Sequence, residues 1–299
     1  MGTGSTKSNN KVAVVTGSSS GIGFETCLSL ARNGFYTYAT MRNPDKSKER
    51  IINVANREKL QLEIIQLDVT DDKSVKEAID KIANEQGTIN VLVNNAGYLL
   101  LGPLEELSIE EFKEQFETNF FGVIRVTQAV LPMMRRQREG TIINISSIAG
   151  RIGFPLSSPY VSSKFALEGL SESMAYEVEQ FGIKAILIEP GVIKTNFVNN
   201  FKIGKRVDNG SSNNNINPSS PYSEITKNRI AGFKPRFESG SSPIEVAKII
   251  LKCVTSENPD LRYPVGDDAF KLIEIRKNIS DKDFRKLVMD SVIHYEKKQ

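Results

Sequence analysis

The stretch Val12–Gly23 reads Val-Ala-Val-Val-Thr-Gly-Ser-Ser-Ser-Gly-Ile-Gly, an apolar run that enters a turn rich in glycine and serine and then a helical pattern. Glycines in such a turn let the backbone approach a pyrophosphate, and the helix N-terminus adds partial positive charge. Taken alone, the spacing Gly-x-x-x-Gly-x-Gly could be an ordinary turn, but its place at the first strand of a βαβ pattern favours a dinucleotide site. The candidate cofactor contacts here are Gly17, Ser19, Ser20, Gly21, Ile22 and Gly23.

Short β-rich runs alternate with longer helical patterns from residue 11 to about residue 197. This alternation is typical of a parallel sheet with helices on both faces, and the runs are nearly all apolar, as buried strands are. The predicted strands are Val12–Thr16, Phe35–Thr40, Leu62–Leu67, Ile89–Val93, Thr141–Ile145 and Lys184–Ile188, with a seventh near Leu261–Val265. The predicted helices are Ile22–Asn33, Pro44–Arg57, Asp71–Glu85, Ile109–Arg136 and Pro159–Phe181. We expect an α/β fold of the Rossmann type, doubly wound around a seven-stranded, mainly parallel sheet.

The 299 residues are enough for one large domain with its own core. We expect a flexible tail over residues 1–10 and one dinucleotide-binding catalytic domain over residues 11–299. Between Asn199 and Pro235 the chain becomes rich in Asn and Ser, and so long a loop in a compact domain is either a lid or disordered. Because apolar residues such as Phe201 and Phe233 lie at its edges, we predict a substrate lid at about residues 196–240.

Composition excludes several classes of function. The net charge of +3 and the lack of a basic stripe argue against nucleic-acid binding. The single histidine, His294, excludes Ser-His-Asp hydrolysis and multi-histidine zinc chemistry, and Cys27 and Cys253 form no Cys-x-x-Cys pair, so we expect no metal site. With no apolar run of about 18 residues and no signal-like N-terminus, we expect no membrane span and a cytoplasmic location.

The end of the second strand should contact the adenosine ribose about 20 residues after the glycines, through an acid for NAD or an arginine for NADP. The sequence there, Ala39–Asn43, contains no carboxylate but does contain Arg42. Because Arg42 could pair with a 2′-phosphate, NADP(H) is favoured over NAD(H), although Arg42 could also be a solvated arginine that points away.

Tyr160 and Lys164 stand four residues apart on one face of a predicted helix. Tyr and Lys with this spacing also occur on many surface helices. An ammonium about 4 Å from a phenol, at an effective dielectric constant of about 20, would lower the phenol's pKa by up to about three units, from about 10 towards neutrality. The pair could therefore provide a general acid–base.

Four motifs occur in order: Gly17-x-x-x-Gly21-x-Gly23, Asn94-Asn95-Ala96-Gly97, Ser147, and Tyr160-x-x-x-Lys164. With Tyr160 placed 13 positions after Ser147, this order resembles the short-chain dehydrogenase/reductase family, in its compact single-domain branch, over residues 11 to about 197. The segments Tyr38–Asn43 and Ser163–Leu170 look most like its hydroxysteroid and retinol dehydrogenases.

The resemblance implies a catalytic role for four residues. Tyr160 would exchange a proton with the substrate oxygen, and Lys164 would lower the phenol's pKa and bind the nicotinamide ribose. Ser147 would hold the substrate oxygen, with Ser146 as the competing choice. Asn119 would bind a water that connects Lys164 to solvent, unless it is a buried asparagine that fixes its helix.

The resemblance also implies further cofactor contacts. Asp68 would accept from the adenine amino group, although an Asp in this context more often begins a helix. The remaining positions are Val69 beside the adenine, Asn95, Ala96 and Gly97 after the fourth strand, and Pro190, Gly191, Val192 and Thr195 after the sixth.

These observations predict an oxidoreductase that uses NADP(H) to interconvert a carbonyl and a secondary alcohol in a small, apolar molecule. The candidate walls of its substrate pocket are Tyr98, Leu99, Leu100, Phe197 and Phe201, which could instead be core. The alternatives are a 3-oxoacyl reductase of lipid synthesis and a nucleotide-sensing protein without turnover. The two long predicted helices Ile109–Arg136 and Pro159–Phe181 resemble the pair through which family members form homodimers and homotetramers.

Overall fold

The computed structural model describes residues 11–195, 201–208 and 216–293. Seven parallel strands form its main sheet, and a two-stranded parallel pair lies beside it. In chain order the strands are β1 (Val12–Val15), β2 (Tyr36–Met41), β3 (Leu62–Gln66), β4 (Val91–Asn94), β5 (Leu100–Leu101), β6 (Gly140–Ile145), β7 (Ile183–Pro190), β8 (Lys202–Ile203) and β9 (Arg262–Val265). The predicted doubly wound α/β fold is confirmed.

The strand order in the main sheet is β3-β2-β1-β4-β6-β7-β9, so the direction in which successive strands are added reverses between β1 and β4. At such a point the loops that leave the two strands turn to opposite faces of the sheet. They open a crevice at the carboxyl ends of the strands, which is where open α/β sheets bind ligands. The Gly-rich turn after β1 and the segment after β4 border this crevice.

The helices cover both faces of the sheet. They are α1 (Gly21–Arg32), α2 (Pro44–Ser47), α3 (Glu49–Glu58), α4 (Asp72–Gln86), α5 (Ile109–Phe116), α6 (Gly122–Gln137), α7 (Ser158–Val178), α8 (Ser223–Glu238), α9 (Pro243–Thr255), α10 (Asp267–Asn278) and α11 (Asp281–Ile293). One apolar core packs α1 and α9 against the sheet, and a second packs α4, α6 and α7 against the other face. Burial of both faces explains why the central strands β1, β4, β6 and β7 are mostly apolar.

Serine side chains cap the N-termini of α5 and α9. Ser108 and Glu111 form a reciprocal capping box at the start of α5. At the start of α9 the Ser242 hydroxyl accepts from the Ile244 amide at 3.2 Å. These caps satisfy amide groups that the first turn of a helix leaves without backbone partners.

The structure differs from the predicted helices in three places. The Pro44–Arg57 pattern forms two helices, α2 and α3, that meet at Lys48. The Ile109–Arg136 pattern contains a π-helical turn at Glu117–Phe121 between α5 and α6. The expected loop over 199–235 contains most of α8. The sequence of this helix has no clear apolar face, because its residues pack against the site and not against the sheet.

None of the helices within the described ranges combines the length and the apolarity that crossing a membrane requires.

Candidate active site

The turn after β1 is shaped to bring backbone close to a ligand. Gly17 and Gly21 have φ values of +66° and +59°, in the left-handed region that favours glycine. A Cβ atom on Gly23 would lie 2.5 Å from the Gly17 carbonyl oxygen, so the helix can start this close to the strand only with glycine there. The Asn95 side-chain amide donates to the carbonyl oxygens of Thr16 and Gly17 at 2.9 and 3.0 Å and holds the turn in place.

The N-terminus of α1 faces the same crevice. Its N-cap residue, Ser20, makes no side-chain cap hydrogen bond, and the first turn contains no acidic residue. The partial positive charge of the helix end is therefore not offset by the first turn itself. Thr195 closes the opposite side, because a Cβ on Gly21 would lie 3.1 Å from its side chain. This cradle fits the pyrophosphate of a dinucleotide.

One cavity of about 820 Å³ runs from the cradle to the first two turns of α7 and to the middle and C-terminal part of α8. Most of the predicted site residues line it. They are Gly17, Ser19, Ser20, Gly21, Ile22, Arg42, Asp68, Val69, Asn95, Ala96, Gly97, Tyr98, Leu99, Asn119, Ser147, Tyr160, Lys164, Pro190, Gly191, Val192 and Thr195. Gly23 lies behind the cradle, where it contributes the space just described.

Lys164 is held at the end of the sheet. It lies on α7, is 6% exposed, and its Nζ donates to the Ile145 carbonyl oxygen at 2.7 Å. Burial lowers the pKa of its ammonium to about 8, while the charge of Glu168, one turn further along α7, acts in the opposite direction. Lys164 therefore brings into the crevice an ammonium whose proton is held less tightly than that of a surface lysine.

Tyr160 lies one turn before Lys164, and the Lys164 Nζ is 5.7 Å from the centre of its ring. Burial raises the pKa of Tyr160 to about 12, and a hydrogen bond with the Ser147 hydroxyl works against this rise. In the protein alone, the prediction that Lys164 brings the phenol's pKa near neutrality is wrong. The ammonium is directed to the Ile145 carbonyl, and loss of water around the phenol has the larger effect.

Ser147 follows β6 and is positioned by its neighbours. Its hydroxyl accepts from the Ala149 amide at 3.1 Å and lies 3.5 Å from the Pro190 carbonyl oxygen. Both Ser146 and Ser147 border the cavity, but Ser146 is buried, whereas Ser147 is half-buried and bonds to the Tyr160 hydroxyl. Of the two candidates, Ser147 has the contact to the phenol.

Asn119 lies in the π-helical turn and is 1% exposed. Its Oδ1 accepts from the Tyr98 amide at 3.1 Å, and its Nδ2 donates to the Tyr98 carbonyl at 3.0 Å. These bonds fix the segment after β4 against the π-helical turn between α5 and α6. The side-chain amide is thus engaged in positioning the cavity wall.

The adenosine side of the cavity contains Arg42 and Asp68. Arg42 is exposed at the end of β2 and makes no hydrogen bond or ion pair with any described residue. Asp68 Oδ1 accepts from the amide and hydroxyl of Thr70 at 3.0 and 2.8 Å, so its carboxylate also shapes the entry to α4. The turn between β3 and α4 thus uses Asp68 structurally while exposing it to the cavity.

The segment after β7 is fixed from α10. Asp268 Oδ2 accepts from the Val192 amide at 2.7 Å, and a Cβ on Gly191 would collide with the same carboxylate. This contact places Pro190, Gly191 and Val192 along the cavity. A residue 76 positions away in the chain therefore sets the backbone of this wall.

The predicted substrate walls separate into different groups. Tyr98 and Leu99 border the cavity. Leu100 is directed into the core at 2% exposure and does not border it. Phe201 stacks on Phe233, with ring centres 5.9 Å apart, and supports the wall from behind. The fifth candidate, Phe197, lies outside the described residues.

The sequence similarity of the chain to known proteins agrees with this arrangement of the site. The family model for short chain dehydrogenases matches residues 11–205. The chain belongs to this family. A short-chain dehydrogenase is an oxidoreductase, and its fold implies a nicotinamide cofactor.

This short-chain dehydrogenase is similar to several proteins along most of its length. It is 41% identical to the oxidoreductase YusZ of Bacillus subtilis, covering 86% of this chain and 90% of the relative. It is 36% identical to the 3-ketodihydrosphingosine reductase of Bacteroides thetaiotaomicron, covering 86% and 88%. It is 38% identical to bovine retinol dehydrogenase 8, covering 89% and 85%.

Among solved structures, the short-chain dehydrogenase resembles an alcohol dehydrogenase from Thermococcus sibiricus in complex with 5-hydroxy-NADP. The TM-score is 0.68 at 27% identity, and the match covers 86% of this chain and 97% of the other.

Sequence reasoning did not find every residue around the cavity of this short-chain dehydrogenase. Phe154, Arg229, Asp268 and Leu272 also border it. The last three come from α8 and α10, far along the chain from the motifs, and no spacing rule connects them to Tyr160. Only the packing of these helices over the crevice brings them to the site.

We predict that Lys164 gives this short-chain dehydrogenase a distinctive pH dependence of stability. The folded pKa of about 8 is below the ordinary value of 10.5, so between these pH values the unfolded state binds more protons and stability rises with pH. Relative to Lys164→Met, the wild type should gain at most about 3 kcal/mol of unfolding free energy over this window. Denaturant unfolding of both proteins from pH 7 to 10.5 measures this.

Other titrating groups are common to the two proteins and cancel in the difference. If the two curves of unfolding free energy against pH run parallel, the ammonium is not desolvated as described.

Proposed function

We propose that the protein is an NADP(H)-dependent oxidoreductase that interconverts a carbonyl and a secondary alcohol in a small, largely apolar molecule. The observation that supports this most directly is the joint placement of Tyr160, Ser147 and Lys164 in the cavity that begins at the dinucleotide cradle. An acid–base group, an oxygen-binding hydroxyl and a cation at one end of a cofactor cavity suit proton transfer to an oxygen next to a hydride transfer.

The bound nicotinamide supplies or accepts the hydride. Tyr160 donates its hydroxyl proton to the substrate oxygen when a carbonyl is reduced and takes it back when an alcohol is oxidised. With a pKa raised to about 12, the phenol is protonated at neutral pH, which is the form that donates. Ser147 bonds to the substrate oxygen and orients it towards the phenol.

Lys164 supports the phenol from one helical turn away. Its ammonium contributes positive charge on the side of the Tyr160 ring, which favours the phenolate that remains after the proton is donated. It also lies within the cavity where the nicotinamide ribose is expected. For Asn119, the two bonds to Tyr98 support a positioning role, and no contact among the described residues supports the relay role.

The preference for NADP(H) rests on Arg42. This guanidinium is exposed at the adenosine end of the cavity and has no anionic partner among the described residues. No carboxylate at the end of β2 is available to accept from a ribose 2′-hydroxyl. The solved alcohol dehydrogenase similar to this chain is described with an NADP derivative, which is consistent with the proposal.

The apolar character of the substrate rests on the cavity walls opposite the cradle. Leu99, Phe154, Phe233, Phe237 and Leu272 border this region. Two relatives are named for retinol and for 3-ketodihydrosphingosine, an apolar alcohol and a long-chain ketone.

We propose that residues 11–299 form one catalytic domain and that residues 196–240 act as its substrate lid. Helix α8 provides Arg229, Phe233, Arg236 and Phe237 to the cavity, so this helix borders the site. The Arg236 guanidinium donates to the Ser291 carbonyl oxygen at 2.7 Å, which ties the lid helix to α11. We further propose a cytoplasmic location, which suits the free, buried thiols of Cys27 and Cys253.

We propose that the protein assembles as a homodimer or homotetramer. Large apolar side chains are exposed on α7 and next to it: Phe121 at 47%, Phe165 at 46% and Tyr176 at 72%. Exposed apolar residues grouped in this way mark interaction surfaces. Light scattering should give the mass of two or four chains, and a monodisperse single chain would contradict the proposal.

Replacement of Tyr160 by Phe removes only the hydroxyl. We expect the variant to lose carbonyl reduction by at least about a hundredfold, because no other acid replaces the phenol, while NADPH still binds. NADPH oxidation measured with a panel of ketones and aldehydes, together with fluorescence titration of the cofactor, separates the two effects. Near-normal rates in the variant would exclude Tyr160 as the acid–base.

Replacement of Arg42 by Asp exchanges a cation for an acceptor at the adenosine end. The ratio of kcat/KM for NADPH to that for NADH should fall by about ten- to a hundredfold, because a charge-assisted pair with the 2′-phosphate is lost. Lys46→Asp, an exposed change of the same charge nearby, is the control. An unchanged ratio in the Arg42 variant would remove this residue from cofactor selection.

A further inference from the structure

Arg229 lies on α8 and borders the cavity at the end away from the adenosine site. Its charge centre is 4.6 Å from the centre of the Phe233 ring and 5.9 Å from that of Phe154. Its Nε is buried and has no hydrogen-bond partner, and the guanidinium makes no ion pair with any described residue. A half-buried arginine whose buried Nε has no partner requires an explanation, since most buried polar groups are paired.

No acidic side chain among the described residues offsets the charge of Arg229. Burial lowers the pKa of Arg229 to about 10, and repulsion from Arg236, two helical turns further along α8, acts in the same direction. The faces of Phe154 and Phe233 attract the cation but carry no net charge to balance it. Because the Nε is buried without a partner and the rest of the guanidinium borders the cavity, an anion that enters there would offset an unfavourable loss of water around the charge.

Carboxylates do border the cavity, but each is engaged elsewhere. The pairs are Glu114 with Lys202 at 3.6 Å, Glu117 with Arg125 at 2.7 Å, Asp68 with the Thr70 amide at 3.0 Å, and Asp268 with the Val192 amide at 2.7 Å. None of these carboxylates reaches Arg229. The charge of Arg229 is thus directed towards whatever the cavity holds.

The position of Arg229 points to the substrate. Phe233, which it contacts, belongs to an apolar cluster with Leu99 and Leu101, against which Tyr160 packs. Phe154, its other aromatic neighbour, lies between Ser147 and Tyr160 in the sequence. The guanidinium is therefore on the same side of the cavity as the proposed acid–base and is separated from it by apolar surface.

We propose that Arg229 binds a carboxylate of the substrate, so that the protein acts on an oxo acid or hydroxy acid whose carboxylate is joined to the reacting carbon by an apolar chain. This inference rests on the proposed function and names its substrate class. The apolar walls hold the chain, and Arg229 supplies a charge-assisted, bidentate contact to the acid group.

A binding experiment tests this without turnover. Octanoate and octanamide, which have the same chain and differ in charge, are titrated calorimetrically into the protein saturated with NADP⁺. We expect octanoate to bind about 10- to 100-fold more tightly than octanamide in the wild type. Arg229→Met should abolish this difference, and Arg229→Lys should restore part of it.

The matched control is Lys227→Met. It removes the same charge from an exposed position on α8 that does not border the cavity, so the preference for octanoate should persist. If wild type binds the two ligands equally, or if Lys227→Met abolishes the preference as fully as Arg229→Met does, the inference is wrong. If Arg229→Met fails to fold, equal binding of the two ligands by the wild type still overturns the inference, and a full octanoate preference in Arg229→Gln would overturn it as well.

Turnover distinguishes this inference from the proposed function. A series of oxo acids of increasing chain length is compared with the matching methyl esters. We expect acids above a minimum length to have the higher kcat/KM in the wild type but not in Arg229→Met, with the KM for NADPH unchanged.

If esters are reduced and acids are never preferred, the carboxylate site is overturned and the oxidoreductase remains. If no carbonyl compound is reduced, the proposed function fails and this inference with it. If Arg229→Met raises the KM for NADPH instead, the guanidinium serves the cofactor and the inference is also wrong.

Discussion

The hydrogen bond from the Lys164 ammonium to the Ile145 carbonyl oxygen, 2.7 Å long, is the contact on which the geometry of the site depends. It joins α7 to the carboxyl end of β6, and therefore places Tyr160, one turn earlier, above the same edge of the sheet. The bond also compensates in part for taking an ammonium out of water, which otherwise costs several kcal/mol. A buried cation at the end of a strand is unfavourable for stability, and proteins retain such groups mainly where function requires them.

Loss of water has opposite consequences for the two members of this pair. Burial raises the pKa of the Tyr160 phenol and lowers that of the Lys164 ammonium, because in each case the charged form loses solvation. Both shifts favour the neutral forms, and the phenol retains its proton over the physiological range. A change in charge within the cavity would act on both groups at once, since they lie a single helical turn apart and share the same surroundings.

The two ends of the cavity are built in different ways. At the cradle, specificity comes from backbone: glycines remove side chains, and Asn95 fixes the turn through two carbonyl oxygens. At the opposite end the wall is formed by side chains on α8, where Phe233 and Phe237 are apolar and Arg229 and Arg236 are charged. Backbone recognition suits a cofactor that many enzymes share, whereas side chains on a separate helix can change without disturbing the sheet.

The sequence by itself determined the parallel sheet, because strands buried on both faces must be apolar, and the Gly17–Gly23 turn, because only glycine fits its backbone. It also placed Tyr160 and Lys164 on one helical face. Tertiary structure alone decided which groups meet across the crevice. The direction of the shift in the pKa of Tyr160 depends on burial, and the position of Arg229 depends on how α8 packs, far along the chain from any motif. Neither burial nor long-range packing is encoded in local spacing, because both arise only when distant segments exclude water together.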